Sequence, residues 1–432
     1  MAARPAASRP QAETRDRPAR GSRQGALASA KRLCHVRANT TGSDAIAEFD
    51  IILWGATGYT GRLVAEHLLA SFGVGGEVAW AIAGRSAARL DEVRAGIGAP
   101  AGLTQIIADA ADPGSLDAMV RRAGVVISTV GPYQLYGSPL VAACAAAGTD
   151  YVDLTGESNW IAAMIGAHAA AAKASGARLV FSCGFDSIPF DLGVFFVQAE
   201  ARRRFGSYAP RVRGRVRGLK GGLSGGTLAS GMATQAAAAQ DPGVGALLAD
   251  PFALTPGFAG PEQPDGQTPY EDKVTGAWVG PFMMAGINTK AVHRSNLLLG
   301  HPWGRDFQYD EMQVLDGPPS EQGAALGGFN FGAGGLPKPG EGPTEEERRT
   351  GFYDILFIAE TADGRTVRAA VKGDMDPGYG STAKLLGEAA ACLAQIPRTT
   401  TPGGCWTPAA AMGEPLIRRL QARAGLSFSL EN

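Results

Sequence analysis

Apolar residues in this chain fall into short runs that alternate with helical patterns. Phe49-Asp50-Ile51-Ile52-Leu53-Trp54 reads as a buried strand. An amphipathic helix follows, with Leu63, Val64, His67, Leu68 and Leu69 at helical spacing. The alternation then repeats. Residues 78–83 read as a strand and 86–95 as a helix. Residues 104–108 form the next strand, and Asp112-Pro113 opens a helix, because proline suits a first helical turn. Strand 125–129 precedes helix 138–147, strand 151–154 precedes helix 162–174, and strand 179–182 precedes helix 188–203. Six such alternations predict an α/β fold, a parallel sheet with helices on both faces.

From about residue 205 the alternation stops. Residues 211–220 read as a strand in which Arg211, Arg213, Arg215 and Arg217 share one face. That face is either solvated or paired with acids, or it is a basic surface for an acidic ligand such as a phosphopantetheine arm or acyl-carrier protein. Residues 221–240 carry no charge. They are mostly small, so they predict a buried or tightly packed helix rather than the ~20 strongly apolar residues of a membrane span. Residues 316–350 are rich in Gly, Pro and Glu and read as a long surface loop. Strands 353–360 and 367–371 flank Ala362-Asp363-Gly364-Arg365, a hairpin signal. Residues 380–395 and 412–424 are expected to be helices. The divisions are a leader at 1–48, an α/β domain at 49–204, an α+β domain at 205–378 and C-terminal helices at 379–432.

Composition refines this picture. Gly 60 and Pro 27 make about 20% of 432 residues, short of the ~25–30% of unstructured chains. With 45% hydrophobic residues, the chain is globular and its glycines have specific positions to fill. Net charge is −1, but residues 1–48 hold nine basic and four acidic residues, leaving a mildly acidic body. Such a body predicts no nucleic-acid partner. The basic leader lacks the apolar centre of a secretory signal. It reads as a disordered leader, translation from an upstream start, or an organelle transit peptide, the last weakened by Glu13 and Asp16. Five scattered cysteines predict a reducing compartment without disulfides or zinc. The five histidines include no pair at metal-ligand spacing, so no metal is expected. The expected location is the cytoplasm, or an organelle if the leader is a targeting peptide.

The chemistry begins after the first strand. Gly55-Ala56-Thr57-Gly58-Tyr59-Thr60-Gly61 lies between strand and helix, where a phosphate-binding turn belongs. Gly55 permits the turn, Gly58 lets a pyrophosphate approach, and Gly61 lets the helix pack close to the strand. The helix N-terminus adds free N–H groups. At the end of the second strand, where an NAD site places an acid, stand Arg85 and Ser86. A guanidinium fork suits a phosphate, so NADP(H) is the expected cofactor. Thr129, Gly131, Pro132 and Tyr133 follow the fourth strand and should border the nicotinamide. Glu157 follows the fifth strand; Cys183, Asp186 and Ser187 follow the sixth. Glu157 and Asp186 are candidate acids, although each is also placed to cap a helix. Cys183 has no nearby histidine and is expected to be inert. No tyrosine is followed four residues later by lysine, which disfavours the short-chain dehydrogenases.

These motifs resemble the saccharopine dehydrogenase-like oxidoreductases, which include trans-acting enoyl reductases of actinobacterial lipid synthesis. The resemblance spans about 48–432. It rests on Trp54 and the glycine loop, Ala83-Gly84-Arg85, Gly131-Pro132-Tyr133 and Cys183-Gly184-Phe185-Asp186-Ser187-Ile188-Pro189. It continues in Pro281-Phe282-Met283-Met284-Ala285, Arg294-Ser295, Asp376-Pro377-Gly378-Tyr379-Gly380-Ser381-Thr382-Ala383-Lys384 and Thr407-Pro408-Ala409. The leader lies outside the pattern, and His293 departs from the family's basic residue. The resemblance implies an NADP-binding Rossmann domain, an α+β second domain, and C-terminal helices that return to the first domain.

Saccharopine as substrate would need a cluster of cations for its carboxylates, and the sequence identifies none. The Phe282-Met283-Met284 segment is either buried core or an apolar substrate wall. The second reading suits a lipid-like enoyl chain that takes hydride at its β-carbon, with a donor for the enolate oxygen and an acid for the α-carbon. Tyr133 and Ser187 are the donor candidates. The expected partner is a small molecule or acyl chain; peripheral lipid contact and a homodimer are left open. The alternatives are a saccharopine-type amino-acid dehydrogenase and a non-catalytic NADP-binding sensor or scaffold.

Overall fold

The computed structural model describes residues 47–222, 224–318 and 340–432. The expected leader, apart from its last two residues, lies outside the described residues, as does most of the expected 316–350 loop. The described strands, in chain order, are β1 (Phe49–Trp54), β2 (Trp80–Gly84), β3 (Thr104–Ile107), β4 (Ala123–Ser128), β5 (Asp150–Asp153), β6 (Arg178–Val180) and β7 (Arg211–Lys220). They continue with β8 (Tyr270–Asp272), β9 (Ala277–Pro281), β10 (Gln308–Leu315), β11 (Phe352–Glu360), β12 (Thr366–Gly373), β13 (Gly404–Trp406) and β14 (Leu426–Glu431).

The apolar runs become the first sheet, ordered β13-β6-β5-β4-β1-β2-β3. All its pairings are parallel. Helices cover both faces, which is why Ile51, Ile52 and Leu53 in β1 are each fully buried. Chain order reverses between β1 and β4, so the loops after these strands diverge and leave a crevice at their carboxyl ends.

The second sheet is ordered β14-β12-β11-β7-β10-β9-β8 and is mixed, with β7 and β10 parallel and the rest antiparallel. Helix Ile188–Phe205 leaves the end of β6 and packs on this sheet. Gly193 makes the approach close: a Cβ there would lie 2.3 Å from the Phe357 ring. One apolar core consequently runs from Ile51 and Leu53 in the first sheet to Ile355 and Phe357 in the second.

The C-terminal residues return to the first sheet as helix Thr382–Gln395, packed on β4, β5 and helix Tyr59–Phe72. Buried Arg178 holds its end, donating to the carbonyls of Leu393 and Ile396 at 2.8 and 2.7 Å while paired with Asp150. A cation among the last carbonyls of a helix satisfies groups that have no partner within it. Helix Pro408–Arg423 begins four residues before the expected start, because Pro408 occupies its first turn; Gly413 and Pro415 kink it. The same segment also gives β13 to the first sheet and β14 to the second, neither of which the sequence reading anticipated.

Two expectations change and one open alternative is decided. Helix Gly225–Gln240 is present, but only Gly225 in it is buried, and Met232 is 70% exposed. It is thus a surface-facing helix of small residues, not a buried one. The arginine face of β7 is paired with acids throughout. Arg211 meets Asp310, Arg213 meets Glu360, Arg215 meets Asp272 and Asp310, and Arg217 meets Asp354 and Glu431. Their charges are met within the sheet, which removes the basic-surface reading. Residues 345–350, expected as loop, form a short helix with a Thr344–Glu347 capping box.

Candidate active site

The crevice is built from strand ends. Gly55 adopts φ +91°, a conformation that favours glycine, and a Cβ there would strike Val130 and Thr129 at 2.6 and 2.7 Å. Thr129 Oγ1 lies 3.2 Å from the Trp54 carbonyl and 3.1 Å from that of Gly55, tying the β1 and β4 loops together. A Cβ on Gly61 would come within 2.1 Å of the Gly55 carbonyl, so the helix is pressed against its own loop. Gly58, the N-cap of helix Tyr59–Phe72, gives no side-chain cap, and no acid stands in the first turn. The first-turn N–H groups thus keep their capacity for an external anion. Arg85 is exposed at the end of β2 and makes no ion pair among the described residues. Ser86 Oγ accepts from Arg89 N at 3.4 Å as a helix cap, which leaves its own proton free to donate. Thr57 and Thr60 are half-buried in the same turn. These residues fit an adenine dinucleotide diphosphate at the loop and a 2′-phosphate at Arg85.

The catalytic candidates separate by geometry. Glu157 is 2% exposed, and its two oxygens accept from Tyr133 N and Gln134 N, both at 2.8 Å. It anchors the Gly131-Pro132-Tyr133 loop. Tyr133 is 4% exposed, donates to the Ser128 carbonyl at 2.9 Å and packs on Trp160. Burial, with Asp153 nearby, pushes its hydroxyl well above the usual tyrosine range. Ser187 is fully buried at φ +124°, and its Oγ has no hydrogen-bond partner. Cys183 is also fully buried, which pushes its thiol well up.

Asp186 differs from all of these. It is half-buried, its Oδ2 lies 3.3 Å from where a Cβ on Gly156 would stand, and it has no hydrogen-bond partner among the described residues. Burial raises its carboxyl to about 7.

Residues distant in sequence form the opposite wall. Ile287 faces Gly156, and Ser230 faces Gly131. The Tyr379 hydroxyl accepts from Ser224 N at 2.5 Å and lies 2.6 Å from Thr227 Oγ1. Its ring stands edge-on to Tyr59, with centroids 5.2 Å apart. Arg348 donates to the Tyr59 hydroxyl at 3.0 Å. Tyr59 came with the glycine loop, and the 376–384 motif placed Tyr379 without giving it a role; the others carried no sequence signal. Phe282 and Met284 are core, with Phe282 against Phe190, whereas Met283 is 44% exposed. The Arg294-Ser295 and Thr407-Pro408-Ala409 motifs meet in a buried knot. There Asp191 accepts from Ser295 Oγ at 2.5 Å and from Ala409 N at 2.8 Å.

Among the described residues no helix is long and apolar enough to cross a membrane. Residues 51–180 match the saccharopine dehydrogenase NADP-binding domain model. A Mycobacterium tuberculosis protein is 42% identical over 411 residues, covering 88% of this chain and 97% of the relative. The trans-acting enoyl reductase of Mycobacterium bovis is 39% identical with the same coverage. That of Mycobacterium leprae is 38% identical, over 86% of this chain and 96% of its own length. Among solved structures, apo saccharopine dehydrogenase (L-Glu forming) from Saccharomyces cerevisiae shares the fold. Its TM-score is 0.51 at 14% identity, covering 89% of this chain and 99% of that one. The glycine loop, the cation after β2 and this similarity agree: the chain belongs to the saccharopine dehydrogenase-like family that includes the trans-acting enoyl reductases, and is an NADP-dependent oxidoreductase.

Proposed function

We propose that the protein reduces the carbon–carbon double bond of an enoyl chain, with Asp186 as the proton donor. NADPH supplies the hydride when bound. The observation that carries the reading is the Asp186 carboxyl, which lies beside Gly156 at the end of β5, has no hydrogen-bond partner among the described residues and is raised by burial to about 7. A carboxyl that keeps its proton near neutral pH can protonate the α-carbon as hydride reaches the β-carbon. Glu157 fixes the Gly131-Pro132-Tyr133 loop through its two backbone bonds and so holds the wall beside the reacting carbons.

We read an open cleft of about 510 Å³ beside Gln134 as the seat of the chain. It lies between helix Ser158–Ser175 and helix Pro242–Ala249, with Trp160, Met164, Val244 and Leu247 among its walls. An amino-acid substrate is less well served, because the arginines of β7 are acid-paired and Lys290 donates to the Leu248 and Gly286 carbonyls.

Asp186→Asn tests the proposal. The variant should bind NADPH normally and lose roughly 10²–10⁴-fold in turnover with an α,β-unsaturated acyl thioester. In the wild type, turnover should be highest where Asp186 is protonated and fall as pH rises through about 7. Wild-type turnover by Asp186→Asn would remove Asp186 from the role.

A further inference from the structure

Residues 340–350 cross the glycine loop from the second domain. A Cβ on Gly342 would lie 2.6 Å from the Tyr59 ring, so backbone packs directly on that ring. The Tyr59 hydroxyl donates to the Pro343 carbonyl. Arg348 Nη1 donates to the Tyr59 hydroxyl at 3.0 Å and to the Pro343 carbonyl at 2.8 Å. Further bonds fix the crossing: Gly225 N to the Glu341 carbonyl at 3.2 Å and Asp376 N to the Arg348 carbonyl at 2.9 Å. The guanidinium is therefore held beside the first residue of helix Tyr59–Phe72.

Two N–H groups on Nη1 account for these bonds. Nη2 and Nε carry three more, and none has an acceptor among the described residues. The nearby acid is Asp376, but its carboxylate accepts from Tyr379 N and Gly380 N in its own turn. A half-buried arginine anchored by one nitrogen, with the rest of its fork unused, is prepared for a bidentate anion.

We propose that Arg348 is a cofactor-binding residue, delivered by the second domain to the NADP diphosphate at the glycine loop and held there by Tyr59. The inference rests on the reading of that loop as the diphosphate seat. It assigns different anions to two arginines: Arg85 takes the 2′-phosphate that only NADP carries, and Arg348 takes the diphosphate that NADP and NAD share.

The test is a fluorescence titration of the full chain with NADPH and with NADH. Arg348→Ala should raise both dissociation constants by the same factor, about tenfold or more. Arg348→Lys should recover part of the loss, because the charge remains. Tyr59→Phe should weaken both cofactors to a smaller extent by freeing the arginine. Arg349→Ala, which removes an exposed charge from the same short helix, should change neither. Unchanged constants in Arg348→Ala would overturn the proposal, as would a loss confined to NADPH. If Gly58→Ala and Arg85→Ala also bind both cofactors as the wild type does, the loop reading itself fails. If those two weaken binding and Arg348→Ala does not, only this inference fails.

Discussion

Two of the loop glycines should fail in different ways when each is changed to alanine. At Gly61 a Cβ would lie 2.1 Å from the Gly55 carbonyl oxygen, 2.8 Å from its carbon and 2.9 Å from Ala56 Cα. All three are backbone atoms. Reaching ordinary contact at about 3.5 Å requires the helix to move more than about 1 Å off its loop. Overpacking of this kind costs about 1–3 kcal/mol, offset by up to about 1 kcal/mol from alanine's better helix propensity. Gly61→Ala should therefore lose a few °C in Tm and bind NADPH weakly, because the first-turn N–H groups move with the helix. At Gly58, φ is −78°, which alanine adopts freely, and a Cβ would meet only the Gly55 oxygen at 3.4 Å. Gly58→Ala should keep its Tm and still lose about tenfold or more in NADPH affinity, because the methyl stands where the diphosphate approaches. Differential scanning fluorimetry and a fluorescence titration read the two effects. A wild-type Tm for Gly61→Ala would refute the packing argument. Wild-type affinity for Gly58→Ala would refute the placement of the diphosphate.

Other outcomes follow from the same structure. Arg85→Ala should weaken NADPH at least about tenfold and leave NADH unchanged, read by paired titrations. Asp191 is raised by burial to about 7, so its native form holds a proton more tightly than its unfolded form. Its contribution to stability is full below the unfolded carboxylate range and is lost as pH rises through about 7. Asp191→Asn can keep both buried bonds, accepting from Ala409 and donating to Ser295. Its Tm should match the wild type at pH about 5 and exceed it at pH about 8. Glu157→Gln should lower Tm and turnover together, because an amide nitrogen would face either the Tyr133 or the Gln134 N–H.

The first sheet was legible because its strands are continuous apolar runs closed by glycine or polar turns. Strand β13 was not, since three residues after Pro402-Gly403 carry no periodicity. Strand β14 does alternate, as Leu426-Ser427-Phe428-Ser429, but its proximity to a strong helical pattern hid it. Helix Gly225–Gln240 misled because an uncharged run of alanine, glycine and serine carries little apolar area, and little is gained by burying it. In the site, spacing alone located the glycine loop and Arg85, for strand-turn-helix geometry is local. It named Glu157 and Tyr133 without showing that Glu157 accepts from two backbone N–H groups of the Tyr133 loop, or that the Tyr133 hydroxyl accepts from Leu154 N at 3.4 Å. Arg348 lies 289 residues from Tyr59, and no local pattern could have joined them.

In the proposed reaction this crevice delivers hydride and proton to opposite ends of one double bond. The most direct measurement uses NADPH deuterated at its transferable position and an α,β-unsaturated acyl thioester, with the product read by NMR and mass spectrometry. The expected product is a saturated thioester with the cofactor's deuterium on the β-carbon and a solvent proton on the α-carbon, formed at a greatly reduced rate by Asp186→Asn. A product with the cofactor label elsewhere, or no consumption of NADPH by protein that binds it, would rule out this reaction.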